Sequence, residues 1–169
     1  NVNLNIPATL NLYSVTGTVS HNGTPLDGVA VNGGALGNTT TNTSGQFTFA
    51  NVPHLTAYSL SFSKLGYQIN GVSSQVNGAD SVHAVPAILI LYKIRGTVTN
   101  SDSGQPVSGV SINAAALGSA TTNGVGQYEI QNVLGNTAYR LTFSKQNYKF
   151  TPAVIEGTMS YSDATVNTS

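Results

Sequence analysis

The chain has 169 residues, only 7% of them Asp, Glu, Lys or Arg, and its six acids balance its six bases. Ordinary soluble domains carry roughly 25% charged residues; here Asn, Ser, Thr and Gly supply the polarity, and the scarcity of clustered Lys and Arg excludes nucleic acid as a partner. Without cysteine there is neither a disulfide framework nor a thiolate metal centre, and the longest apolar run, residues 84–92, is far shorter than the ~20 residues of a membrane span.

In chain order, the first element is a predicted β-strand over residues 1–12, with Leu4, Ile6, Leu10 and Leu12 as its apolar positions. This segment is not unique. The stretch NIPATLNLYSVTGTV at residues 5–19 returns as AVPAILILYKIRGTV at residues 84–98, a displacement of 79 that sets Pro7 on Pro86, Ala8 on Ala87, Leu10 on Leu89 and Leu12 on Leu91. Tyr13, Val15 and Val19 then alternate as one face of a strand. From Gly23 to Tyr67 the chain maps without gaps onto Gly104 to Tyr148, at a displacement of 81. Val29 and Val31 answer to Val110 and Ile112; Phe47 and Phe49 answer to Tyr128 and Ile130; Tyr58, Leu60 and Phe62 answer to Tyr139, Leu141 and Phe143. Turn signals separate these runs at Asn22-Gly23, Asn32-Gly33, Asn77-Gly78 and Asn123-Gly124. An internal repeat of this length fixes the folding unit at about half the chain. The expected organisation is an N-terminal strand (1–12) followed by two small antiparallel sandwiches, 13–91 and 92–169.

The repeated pattern G-x-V, G-x-P-[LV]-x-G-V, T-x-x-x-G-[QF]-[FY] and A-Y-x-L-x-F stands here as Gly17, Val19, Gly23, Pro25, Leu26, Gly28, Val29, Gly45, Phe47, Tyr58 and Leu60, with their partners 79 or 81 positions on. It resembles the carboxypeptidase regulatory-like and collagen-adhesin B-type domains of extracellular proteins. That resemblance implies an all-β chain of two tandem seven-stranded, transthyretin-like (Ig-like) antiparallel sandwiches, serving as stalk, spacer or assembly module. It also offers one covalent chemistry, a Lys–Asn isopeptide bond assisted by a buried acid. The matching positions hold Val19 and Val98 in place of the lysine and Phe62 and Phe143 in place of the acid. Lys93, Glu129 and Asn167 lie off the pattern, so no cross-link is expected.

Other chemistry is thin. His21, His54 and His83 have no histidine counterparts in the second repeat, and no nucleophile motif accompanies them, so no enzyme activity, catalytic residue, metal site or cofactor is expected. The NSDSG stretch at residues 100–104 offers a single Asp, which suits an Asx turn better than calcium. Four sequons, at Asn22, Asn38, Asn42 and Asn167, are the candidates for glycosylation. Tyr161 is the one tyrosine without a place in the repeat's core pattern, and it is the candidate platform for a carbohydrate.

The N-terminal segment admits two readings: the stub of a preceding repeat, or a strand that leaves its own subunit and pairs with a neighbouring copy. Burying Leu4, Ile6, Leu10 and Leu12 against a neighbour would contribute ~6–12 kcal/mol gross, before ordering costs. A surface with so little charge also has little protection against self-association. The expectation is therefore a structural subunit of an extracellular or cell-surface filament, a homopolymer joined head to tail through Leu4, Ile6, Pro7, Leu10 and Leu12. The rival is a stalk or adhesin-type, carbohydrate-binding module of a longer surface protein.

Overall fold

The structure is a computed structural model that describes residues 8–169; Leu4, Ile6 and Pro7 of the expected N-terminal strand lie outside the described residues. It is all-β, with two single-turn 3-10 segments, Gly34–Leu36 and Ala115–Leu117, as its helical elements. The chain divides into two compact units between Leu89 and Ile90, two residues before the boundary that the repeat suggests.

The first unit holds nine strands: β1 (Leu12–His21), β2 (Thr24–Pro25), β3 (Ala30–Asn32), β4 (Asn38–Thr40), β5 (Gln46–Pro53), β6 (Ala57–Ser63), β7 (Tyr67–Ile69), β8 (Val72–Gln75) and β9 (Ser81–Leu89). One sheet runs β2-β1-β9-β7 with β5 also on β1, and the other runs β4-β3-β6-β8. Val15 and Val19 of β1, Phe47 and Phe49 of β5, and Val85 of β9 meet Val31 of β3 and Tyr58 and Leu60 of β6 in one buried cluster. The second unit holds seven strands: β10 (Leu91–Thr97), β11 (Ser111–Asn113), β12 (Ser119–Thr121), β13 (Gln127–Leu134), β14 (Ala138–Ser144), β15 (Val154–Thr158) and β16 (Ala164–Thr165). They form sheets β13-β10-β16 and β12-β11-β14-β15 around Ile94, Val98, Ile112, Tyr128, Ile130, Leu141 and Phe143.

Three expectations need correction. The sandwiches are not wholly antiparallel: β9 runs parallel to β1 over six residue pairs, from Val15–Ser81 to Ser20–Pro86, and β16 runs parallel to β10. Parallel neighbours need a crossover connection, and here the crossover is the rest of the unit, since the chain crosses to the second sheet and back before its last strand. Among its described residues the first unit has nine strands where seven were expected. Residues 8–11 form no strand, and β1 begins at Leu12.

Local sequence explains the framework. At Asn22-Gly23 both residues have positive φ (47° and 80°), as a two-residue turn between β1 and β2 requires. At the Asn123-Gly124 signal the left-handed residue is Gly126, while Asn123 acts through its side chain: its Oδ1 accepts the N–H groups of Val125 and Gln127. Asn42 does the same for Ser44 and Gln46. Each unit also contains a buried threonine clasp. The Thr41 hydroxyl donates to Leu26 O (2.6 Å) and accepts from Val29 N–H (2.9 Å); Thr122 repeats this with Val107 and Val110 at 2.7 and 2.8 Å. Among the core residues expected from sequence, Phe62 and Tyr139 are only partly buried, packed at the margin of their clusters.

Leu60 and Leu141 sit at equivalent places and are 1% and 0% exposed. Replacing either with Ala is expected to lower unfolding stability by ~2–5 kcal/mol, because little can collapse into the space left behind; denaturant unfolding of the two variants checks this.

Candidate assembly site

The features that could serve a partner are strand edges and exposed apolar side chains. Leu10 is 68% exposed and Leu12, although in β1 opposite Pro53, is 48% exposed. Their counterparts differ in setting. Leu89 is half-buried at the end of β9, opposite Tyr67 of β7, whereas Leu91 at the start of β10 is exposed opposite Leu134. A single residue, Ile90, separates β9 from β10.

The last strand of each unit is secured differently. In the first unit a six-pair ladder holds β9 to β1, and the Asp80 carboxylate accepts the Ser14 N–H at 2.8 Å where the strand begins. In the second unit β16 has two ladder pairs, and a further bridge joins Val98 to Thr168. Side chains supplement this short ladder. Asp163 accepts the Lys93 N–H at 2.9 Å and pairs with Arg95 at 2.7 Å; Asn167 Oδ1 accepts the Thr97 N–H at 2.9 Å; the Tyr128 hydroxyl donates to Val166 O at 2.7 Å. Burial and, secondarily, the neighbouring Tyr139 push the Tyr128 phenol up to about 12. Phe47, at the equivalent place in the first unit, has no hydroxyl to offer.

The reactive side chains considered from sequence do not converge. Lys93 pairs with Glu129 at 3.0 Å, and the hydrogen bond from Lys93 draws the Glu129 carboxyl below its ordinary range. Asn167 is held at Thr97, four residues further along β10 and so roughly 13 Å away at strand spacing. Val19, Val98, Phe62 and Phe143 occupy the family's reactive positions as core or core-margin residues. His21 bonds Ala87 O through Nδ1, His54 lies edge-on to Tyr13, and His83 Nε2 shares a 2.8 Å hydrogen bond with the Tyr58 hydroxyl. Burial lowers the His83 pKa. These are three separate places. Asn100 Oδ1 accepts the N–H groups of Asp102 and Ser103, the Asx turn expected of NSDSG, and no cluster of metal-ligating side chains exists among the described residues. Lys64 and Lys145 donate to Asp27 O and Ser108 O, and Arg140 pairs with Glu156. Five of the six cations are thus engaged with the protein's own oxygens.

The four sequon asparagines, Asn22, Asn38, Asn42 and Asn167, are all exposed. Tyr161 is 43% exposed and lies against Gly135, where a Cβ would meet its ring. Its ring covers this glycine. Sequence reasoning missed the threonine clasp and the Tyr128–Val166 bond; the repetition of Thr41 at Thr122 was the signal for the first.

Comparison with known proteins places this geometry. Residues 93–166 match the carboxypeptidase regulatory-like domain family. Over 110 residues the chain is 32% identical to a chitinase, ChiA, of Flavobacterium johnsoniae, a match that covers 61% of this chain and 7% of that protein. Among solved structures, the TIE protein of Bacillus anthracis superposes with a TM-score of 0.70 at 13% identity, over 92% of this chain and 33% of that one. The shaft pilin SpaA of Lactobacillus rhamnosus GG matches with a TM-score of 0.42 at 11% identity, over 94% and 97% of the two chains. The chain therefore spans a small part of the curated relative and a third of the Bacillus protein, and the latter likeness is one of fold.

Two outcomes are expected. Because folding raises the Tyr128 pKa from the ordinary value of 10 to about 12, its contribution to stability is fully present below pH 10 and is lost as pH rises from 10 towards 12. Tyr128→Phe should remove that alkaline dependence and cost about 1 kcal/mol at neutral pH through the lost hydrogen bond; melting curves across this range test both. Intact-mass measurement should give the mass without loss of ammonia, since Lys93 and Asn167 are held apart.

Proposed function

We propose that the chain is a structural subunit of an extracellular or cell-surface fibre, and that it joins its neighbours head to tail through the N-terminal segment containing Leu4, Ile6, Pro7, Leu10 and Leu12. The observation that carries this reading is the state of Leu10 and Leu12. Leu10 stands open to solvent ahead of β1 and Leu12 is half-exposed at its first residue, yet their segment repeats the sequence that closes the first unit and leads into the second. Exposed apolar side chains beside a sheet edge favour strand addition. A contact between unlike surfaces of identical subunits propagates without closing and yields fibres. In this reading each unit is a transthyretin-like sandwich and the pair is a tandem repeat. The near-absence of charge lets such subunits pack without mutual repulsion. No nucleic acid, membrane span, cofactor or catalytic step enters this proposal. Glycans at Asn22, Asn38, Asn42 and Asn167 fit it, and a mass above that of the sequence would reveal them.

The match to a short part of a chitinase favours a second reading, in which the same two units form a spacer or carbohydrate-binding module of a larger secreted protein. One comparison separates the two: the full chain against a chain that starts at Tyr13, viewed by electron microscopy and sized in solution. The fibre reading expects filaments only from the full chain, and assembly that changes little with salt. Two monodisperse monomers, or two chains that polymerise alike, would overturn the role given to the N-terminal segment, and the monomers would favour the spacer.

A further inference from the structure

We infer that each unit carries its own groove for a neutral oligosaccharide, built at the same place in the repeat and working by hydrogen bonds. This rests on the second reading above, the carbohydrate-binding module, and gives that reading its sites. In the second unit a groove of about 720 Å³ is lined by Thr97 of β10, Thr121 of β12, Asn123, Gln127 and Glu129 of β13, and Thr165 of β16. In the first unit a groove of about 520 Å³ is lined by their counterparts Thr18, Thr40, Asn42, Gln46, Thr48 and Val82. Val82 and Thr165 correspond by register, since they lie opposite Thr16 and Arg95, which the repeat aligns.

Four of these pairs are identical in the two units: Thr18 and Thr97, Thr40 and Thr121, Asn42 and Asn123, Gln46 and Gln127. The other sheet has not kept its outward side chains in this way. Ser59 and Ser73, opposite each other on β6 and β8, are replaced on β14 and β15 by Arg140 and Glu156. Asn42 and Asn123 serve their turns, but the exposed side chains of Gln46 and Gln127 reach neither core.

The lining suits sugar hydroxyls, which both donate and accept. Threonine hydroxyls do either, and each amide offers both roles. Several donors are already held in place. Asn42 Oδ1 accepts the Ser44 and Gln46 N–H groups at 3.0 and 2.9 Å, which leaves its Nδ2 3.5 Å from Gln46 Oε1. Asn123 Oδ1 is fixed likewise at 3.1 and 2.9 Å, and Asn167, also in the second groove, bonds the Thr97 N–H. Donors fixed beforehand lose little freedom when a ligand engages them.

Charge and backbone geometry argue against other ligands. No charged residue lines the first groove. In the second, Arg95 is paired with Asp163 at 2.7 Å and Glu129 with Lys93 at 3.0 Å, so an acidic polymer would meet no free cation. A peptide strand would need open backbone groups. However, β1 and β10 have neighbours on both sides, and the N–H and C=O of Gln46 and Gln127 are taken by Asn42 and Asn123.

Titration of the full chain with chitohexaose and with cellohexaose, followed by backbone amide NMR, tests this. At least one hexasaccharide should shift the amides of residues 42–48 and 123–129 together, with two sites per chain, while oligogalacturonate shifts neither. Gln46→Ala should weaken the first site on the order of tenfold and leave the second unchanged, and Gln127→Ala should do the reverse. Both glutamines are exposed, so the variants keep their cores, which the same spectra verify. Shifts that ignore both substitutions, or that vanish only in Tyr161→Ala, would overturn the grooves and leave the carbohydrate reading standing. Shifts at neither groove with either sugar would overturn the proposal. A glycan array then separates the two ideas: a hit would keep the carbohydrate reading, and none would end it too.

Discussion

The parallel pairing of the first strand with the last organises each unit, and a glycine makes it fit. In the middle of β1, Gly17 lies between the backbone of β9 and the ring of Phe47: a Cβ there would stand 2.6 Å from both His83 O and the ring. Gly96 in β10 is placed likewise, with Val166 O overlapping the position of a Cβ and Tyr128 2.9 Å away. Any larger residue would push apart the central strand, the closing strand and the aromatic that covers them. Since β1 and β10 also carry the antiparallel partners β5 and β13, a displacement there would reach the whole sheet.

The closing strand gives the fold its direction. It runs parallel to the first strand and so leaves the unit at the end opposite to the one where the first strand entered. A chain that leaves at the far end can begin the next unit after one residue, as β9 passes to β10 through Ile90. The same property suits a stalk of covalently linked units and a fibre of separate subunits. The difference between those lies in whether the segment closing a unit comes from its own chain or from another copy. Such a design asks little of charge: five of the six cations pair with acids or backbone carbonyls, and three of the six acids, Glu129, Glu156 and Asp163, pair with cations.

The two units show how a repeat diverges without losing its frame. Position 128 holds a tyrosine where position 47 holds Phe, and the extra hydroxyl holds Val166 where the ladder is short. Tyr67 and Tyr148 share a sequence position but not an environment, because Tyr67 pairs with Leu89 and stands against His21 while Tyr148 stacks on Phe150 beneath the Lys145 ammonium. The buried clasp at Thr41 and Thr122 is retained in full, since a hydroxyl that bonds two backbone groups inside a core has no apolar substitute of equal worth.

The sequence by itself determined the elements and their inward faces. Alternation placed Val15, Val19, Phe47, Leu60 and their counterparts inside, and Asn22-Gly23 set a two-residue turn, because side-chain period and positive φ are local properties of the chain. It also exposed the kinship of residues 5–12 with residues 84–91, on which the fibre reading rests. Tertiary structure alone decided that the first and last strands run parallel, that Phe150 enters the core, and that Asp163, Tyr128 and Asn167 hold the last strand. Those facts depend on which distant backbones come together. Alternation along a strand records only which face is buried, and it is the same whichever neighbour lies alongside.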